Sequence, residues 1–210
     1  MAIPKPKLRE LKEAIIALVK GPYTSKFPFV PATVPEHFRG TPTYVPDECV
    51  GCGACGQVCP AGAITIVDEY REDEGRMVRR IERNWGNCIF CSQCYEYCIT
   101  GKGIELDKDF DKSTMETDDF IDTHDKELLF CEKCGGVISA ADHIKWITDK
   151  LGELAFANQT LTVARYGELK LSEDIAARDE GRNLDRSDFM RVLCPNCRAS
   201  YIMSDEWGES

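Results

Sequence analysis

Cys49, Cys52, Cys55 and Cys59 recur as Cys88, Cys91, Cys94 and Cys98, and every member of the second set lies 39 residues after its counterpart. No other feature of the 210-residue chain restricts its folding so tightly. Two copies of one short unit must be built, each wrapping three closely spaced thiols and sending a fourth elsewhere. A strand-like piece follows each fourth cysteine, Ile64-Thr65-Ile66 in the first copy and Ile104-Glu105-Leu106 in the second, so structure is repeated along with the thiols. Four more cysteines, Cys131, Cys134, Cys194 and Cys197, bring the total to 12, three tetrads with none left over. In a reducing compartment so many thiols are more economically read as metal ligands than as disulfides.

The spacing selects the metal chemistry. Cys49-x-x-Cys52-x-x-Cys55-x-x-x-Cys59-Pro60 is the run that holds iron-sulfur clusters in bacterial ferredoxins. Two-residue gaps bend a loop around a cubane, so that three thiolates each reach one iron. Pro60 disfavours helical geometry at Cys59 and directs that thiol towards the other half. The expectation is two 4Fe-4S clusters with crossed fourth ligands, one on Cys49, Cys52, Cys55 and Cys98 and the other on Cys88, Cys91, Cys94 and Cys59. In the second copy Ile99 stands where the first has proline. Two zinc sites fit less well, since zinc takes two cysteines from each of two knuckles. Cys131/Cys134 and Cys194/Cys197 are such knuckles, and they predict one structural zinc, with a single rubredoxin-like iron as the alternative. The 59 residues between them exceed the ~15–20 of a compact ribbon, which implies a helical insert.

The remainder divides around these motifs. Residues 1–48 hold seven bases and five acids, the only net-positive part of a chain whose overall charge is −10. Pro6 to Lys20 reads as a helix with Leu8, Leu11, Ile15 and Leu18 on one stripe, and a proline-rich extended stretch follows it to Pro46. Thr65–Asp68 and Met77–Ile81 flank an acidic turn ending at Gly75, a hairpin signal. Residues 108–127 read as an acidic linker. Ser139 is expected to cap a helix carrying Ile144, Ile147, Leu151 and Leu154 on one side. The fold expectation is thus α+β: an N-terminal helix and docking arm (1–48) and a duplicated bacterial-type ferredoxin fold (49–107). After the linker come a zinc-ribbon or rubredoxin-like domain with a helical insert (128–203) and a tail (204–210).

Several functions are disfavoured. The excess of 36 acids over 26 bases speaks against nucleic acid as a partner. The longest apolar run, Ala14 to Val19, is six residues, far below the ~20 of a membrane span, and lacks the features of a signal peptide. A cytoplasmic location is expected. Gly51-Cys52-Gly53-Ala54-Cys55-Gly56 matches a dinucleotide-binding pattern but lacks the strand and long helix that pattern requires; its glycines are expected to let the backbone approach a cluster. His37, His124 and His143 are scattered, and Trp85, Trp146 and Trp207 read as packing or interface residues. Asn158-Gln159-Thr160 is a sequon with no meaning in a cytoplasmic chain. No nucleophile-base pair is legible, so no catalytic residue is assigned.

The order of features resembles the iron-sulfur subunit of formate hydrogenlyase and its hydrogenase-4 relatives. The resemblance is carried by Phe27-Pro28-Phe29 through His37-Phe38-Arg39-Gly40, by Cys49 to Pro60, by Asn87-Cys88-Ile89-Phe90-Cys91, and by the terminal Cys194-Pro195-Asn196-Cys197 knuckle. More distantly the chain is similar to the two-cluster ferredoxin subunit of complex I and of membrane-bound nickel-iron hydrogenases. What this implies is a non-catalytic electron relay in a peripheral arm, bound to other subunits of a membrane complex without spanning the bilayer itself. A complex I-like quinone oxidoreductase subunit and a free ferredoxin with a structural zinc domain are the alternatives.

Overall fold

The computed structural model describes residues 7–72, 75–171 and 190–203. It separates into two compact units, residues 1–38 and 39–210. In the first, helix α1 (Leu8–Lys20) starts where the Lys7 N–H donates to the Glu10 carboxylate at 3.1 Å and stops at Gly21, which takes a φ of +74°. It buries none of its residues; Leu8 and Leu18 are more than four-fifths exposed. The expected arm is shorter than predicted. Thr41–Tyr44 form strand β1 of the second unit, with Thr41 and Tyr44 buried, because this segment has a pairing partner.

That partner is β4 (Ile104–Asp107), antiparallel to β1 with Tyr44 opposite Ile104. The predicted hairpin is β2 (Ile64–Arg71) and β3 (Arg76–Asn84), with Ile66 opposite Ile81. Each thiol-bearing loop contains a four-residue helix, α2 (Ala54–Gln57) and α3 (Gln93–Glu96). Positive φ angles recur in register at Gly51 and Phe90, Gly53 and Ser92, and Gly62 and Gly101. Tyr44, Cys55, Ile64, Ile81, Cys94 and Ile104 form one buried apolar cluster.

The acidic stretch departs from expectation. A short 3-10 turn (Asp118–Phe120) leads into β5 (Ile121–Phe130), which pairs along β3 and then with β6 (Val137–Ala140), giving a sheet of order β2-β3-β5-β6. Charge explains the strand. Arg83 faces Asp122 and Arg80 faces Asp125 in register, with nitrogen-oxygen distances of 2.5 and 3.2 Å, and Arg76 reaches Glu127 at 3.4 Å. The acids that resembled a solvated linker match arginines some 40 residues away.

β6 runs into α4 (Ala141–Leu151), followed by a 3-10 turn (Gly152–Ala157), α5 (Gln159–Glu168) and, after the second knuckle begins, α6 (Pro195–Met203). Ser139 does not cap α4. It lies in β6, its hydroxyl 2.8 Å from His143 Nδ1, and Ala140 is the cap residue. The apolar stripe is also shorter than predicted: Ile144 packs with Ala155 and Leu161, while Leu154 is 71% exposed. Much of the insert (172–189), the tail and Trp207 lie outside the described residues.

Candidate metal centres

Topology decides which cysteines meet. β1 leads into the first loop and β4 leaves the second, so their pairing brings the end of the second loop to the start of the first. β2 leaves the first loop and β3 enters the second, with Asn84 N–H donating to the Ala63 carbonyl at 2.8 Å, so the converse also holds. One cavity is accordingly lined by Cys49, Cys52, Cys55 and Cys98. Another is lined by Cys59, Cys88, Cys91 and Cys94. Gly103 makes the first meeting possible: a Cβ there would lie 3.2 Å from both Cys49 Cα and Cys98 Sγ.

Burial raises the thiol of Cys49, raises Cys94 against the pull of the Arg83 charge, and pushes Cys55 up to about 11. Cys98 is partly buried, which would raise it, but hydrogen bonds led by the Thr100 hydroxyl bring it below its ordinary value. Thr100 Oγ1 accepts the N–H groups of Lys102 and Gly103 at 3.2 and 2.9 Å, which leaves its own proton for Cys98 Sγ at 3.3 Å. At Cys59 the Ala63 N–H donates to sulfur at 3.3 Å. Eight thiols, no carboxylate or imidazole in either lining and backbone donors to sulfur make a donor set that fits iron-sulfur clusters.

The dinucleotide-like glycines are also required by packing. A Cβ on Gly51 would meet Ala140 Cβ at 2.9 Å, and one on Gly56 would meet Ile66 Cδ1 at 2.7 Å. Two contributors escaped the sequence reading. Tyr44 directs its hydroxyl to 3.8 Å from Cys55 Sγ, and Arg83, only 1% exposed, lines the second cavity. Their positions differ by 39, so the cysteine repeat could have flagged the pair.

In the third tetrad the sulfurs of Cys131, Cys134, Cys194 and Cys197 all lie within 4.8 Å of one another, with Cys134 and Cys194 at 3.8 Å. A metal-sulfur bond of ~2.3 Å in a tetrahedron sets its sulfurs about 3.8 Å apart, so this group has the dimensions of a single-ion site. Gly136 N–H donates to Cys134 Sγ and Cys197 N–H to Cys194 Sγ, both at 3.4 Å. Burial works against the Cys131 thiolate, but backbone hydrogen bonds bring its thiol down to about 7, whereas burial and neighbouring thiols push Cys197 up to about 12. Two clasps fix the approach to the second knuckle, one from the first knuckle and one from the insert. The Glu132 carboxylate accepts Val192 N–H at 2.8 Å and Arg191 Nε at 2.9 Å. Thr160 Oγ1 donates to the Leu193 carbonyl at 3.1 Å and accepts its N–H at 3.2 Å.

Residues 35–102 match the 4Fe-4S dicluster domain, so the two crossed cavities fall in a segment of known metal-cluster type. Among individual proteins, the chain is similar to formate hydrogenlyase subunit 6 of Escherichia coli, 34% identical over 54% of this chain and 61% of that one. It is also similar to NAD(P)H-quinone oxidoreductase subunit I of Gloeobacter violaceus, 31% identical over 39% of each chain. A third relative is NADH-quinone oxidoreductase subunit I 2 of Geobacter metallireducens, 27% identical over 55% of this chain and 91% of that one. The chain spans less than two thirds of the length of the first two. The resemblance to formate hydrogenlyase expected from the motifs is thus found. No helix among the described residues is long and apolar enough to cross a membrane.

Proposed function

We propose that the chain is an electron-transfer subunit of a membrane-associated hydrogenase complex of the formate hydrogenlyase type, carrying two 4Fe-4S clusters. Cys49, Cys52, Cys55 and Cys98 hold one, and Cys59, Cys88, Cys91 and Cys94 hold the other, in a duplicated ferredoxin fold. The observation that carries this reading is the lining of each cavity by three cysteines from one loop and a fourth from the other. Each cluster, when bound, supplies a one-electron carrier. The protein's part is to exclude water and to fix the pair around one apolar core that contains both Cys55 and Cys94. The quinone-oxidoreductase relatives favour a second reading, a subunit of a complex I-like enzyme.

Cys131, Cys134, Cys194 and Cys197 are assigned a structural zinc; four thiolates around one ion leave no open coordination position. The subunit would sit on the cytoplasmic face, held to the membrane through partner subunits, with residues 1–38 contacting one of them. The test begins with analysis of the anaerobically purified chain, which should contain about eight cluster irons and eight sulfides and about one zinc. Cys59→Ser should then damage the cluster of Cys88, Cys91 and Cys94. Loss of the cluster of Cys49, Cys52 and Cys55 instead would overturn the crossed assignment, and a ninth iron with rubredoxin-like absorbance would overturn the zinc.

A further inference from the structure

Among the described residues Arg83 is the largest side chain that is almost wholly buried. It occupies the place in the second repeat that Tyr44 occupies in the first, and its guanidinium carbon lies 4.3 Å from the Tyr44 ring centroid and 4.0 Å from that of Trp85. Of its three nitrogens only Nη2 is paired, with Asp122 at 2.5 Å; Nε and Nη1 are buried without a partner. A buried unpaired donor on a cation is costly and calls for an acceptor. The cavity that Arg83 lines offers four thiols, the donor set assigned above to a cluster.

We propose that Arg83 tunes the cluster of Cys59, Cys88, Cys91 and Cys94, its buried charge and two free N–H donors favouring the reduced state and raising that cluster's potential. The inference rests on the cluster assignment above. Reduction adds negative charge to a centre bounded by thiolates, and a fixed cation with hydrogen-bond donors stabilises that added charge. The first repeat offers the neutral Tyr44 phenol instead, so the two centres are made inequivalent at this position. Asp122 moderates the effect. Its carboxylate is 40% exposed, so it partly cancels the guanidinium charge while itself remaining solvated.

The experiment is a redox titration of the anaerobically purified full-length chain, followed by electron paramagnetic resonance, with the two signals assigned through Cys59→Ser. Arg83→Gln should lower the midpoint of the second cluster and leave the first nearly in place, and Arg83→Lys should recover part of the loss. Asp122→Asn, which keeps Arg83 and removes its counter-charge, should raise the same midpoint. A purely structural role would not produce shifts of opposite sign. If Arg83→Gln fails to hold its clusters, Asp122→Asn decides alone, and an unchanged or lowered midpoint overturns the inference. Fewer than two reducible centres in the unaltered chain would instead refute the cluster assignment beneath it.

Discussion

Replacing Thr160 with valine keeps the shape of the side chain and removes one hydroxyl at the point where α5 grips the second knuckle. That hydroxyl serves both backbone groups of Leu193, a residue 3% exposed and next to Cys194, and accepts Arg198 Nη2 at 3.0 Å. Each Leu193 group left without a partner costs ~1–3 kcal/mol, offset by roughly 1 kcal/mol from the buried methyl. Both groups together, less the methyl, leave a net loss of about 1–5 kcal/mol, which favours local opening of the knuckle by at least roughly 5-fold. Metal bound by Cys131, Cys134, Cys194 and Cys197 should therefore pass to excess chromogenic chelator faster by that factor. Thr160→Ser keeps the hydroxyl and should release metal close to the native rate. A native rate in Thr160→Val, or equally fast release from both variants, would refute the claim that this hydroxyl holds the second knuckle in place.

Ser92 sits at a φ of +63° with its buried hydroxyl unpartnered, where the first repeat has Gly53, so Ser92→Gly should stabilise the chain by about 1 kcal/mol in denaturant unfolding. A decrease would show that the hydroxyl is needed. Lys145 and Arg165 approach the Glu168 carboxylate at 2.8 and 2.6 Å, and these hydrogen bonds, Lys145 first, hold its carboxyl below the ordinary glutamate range. That clasp between α4 and α5 is present above the unfolded glutamate pKa of ~4.3 and is lost as pH falls through the lower folded value. Glu168→Gln should flatten the acid limb of a pH-stability curve by no more than ~1 kcal/mol, and a larger change would show that the pair is not solvent-screened. Deleting residues 1–38 should leave both clusters assembled and abolish co-purification with the complex; a truncated chain that still co-purifies would rule out the docking role.

Local patterns carried well where neighbours in sequence are neighbours in space. The β2-β3 hairpin follows from alternation and an acidic turn, and the stop of α1 from Gly21. The repeat of 39 also anticipated which thiols would line which cavity. What escaped was long-range. β5 was hidden because Asp122, Asp125 and Glu127 look like a solvated run until Arg83, Arg80 and Arg76 are placed opposite them. The sequon-like Asn158-Gln159-Thr160 has a structural meaning instead: Asn158 Oδ1 accepts the N–H groups of Thr160 and Leu161 and caps α5. Ser139 has the composition of a helix cap but is taken by a strand, because β5 offers it a partner at Leu129.

The route of β5 also bears on how this chain could be divided. It pairs with β3 as far as Glu127, turns to β6 from Leu128, and ends at Phe130, one residue before the first knuckle. The four-cysteine site therefore follows directly from a strand that also pairs with β3 of the ferredoxin-type half. A fragment ending before Ile121 would leave β3 as an open edge stripped of Asp122, Asp125 and Glu127, its unpaired backbone groups ready to pair with another copy. Such a minimal two-cluster fragment should aggregate or mispair even with all eight of its cysteines present. Any fusion or truncation that preserves solubility should keep Ile121–Ala140 on the ferredoxin side of the cut.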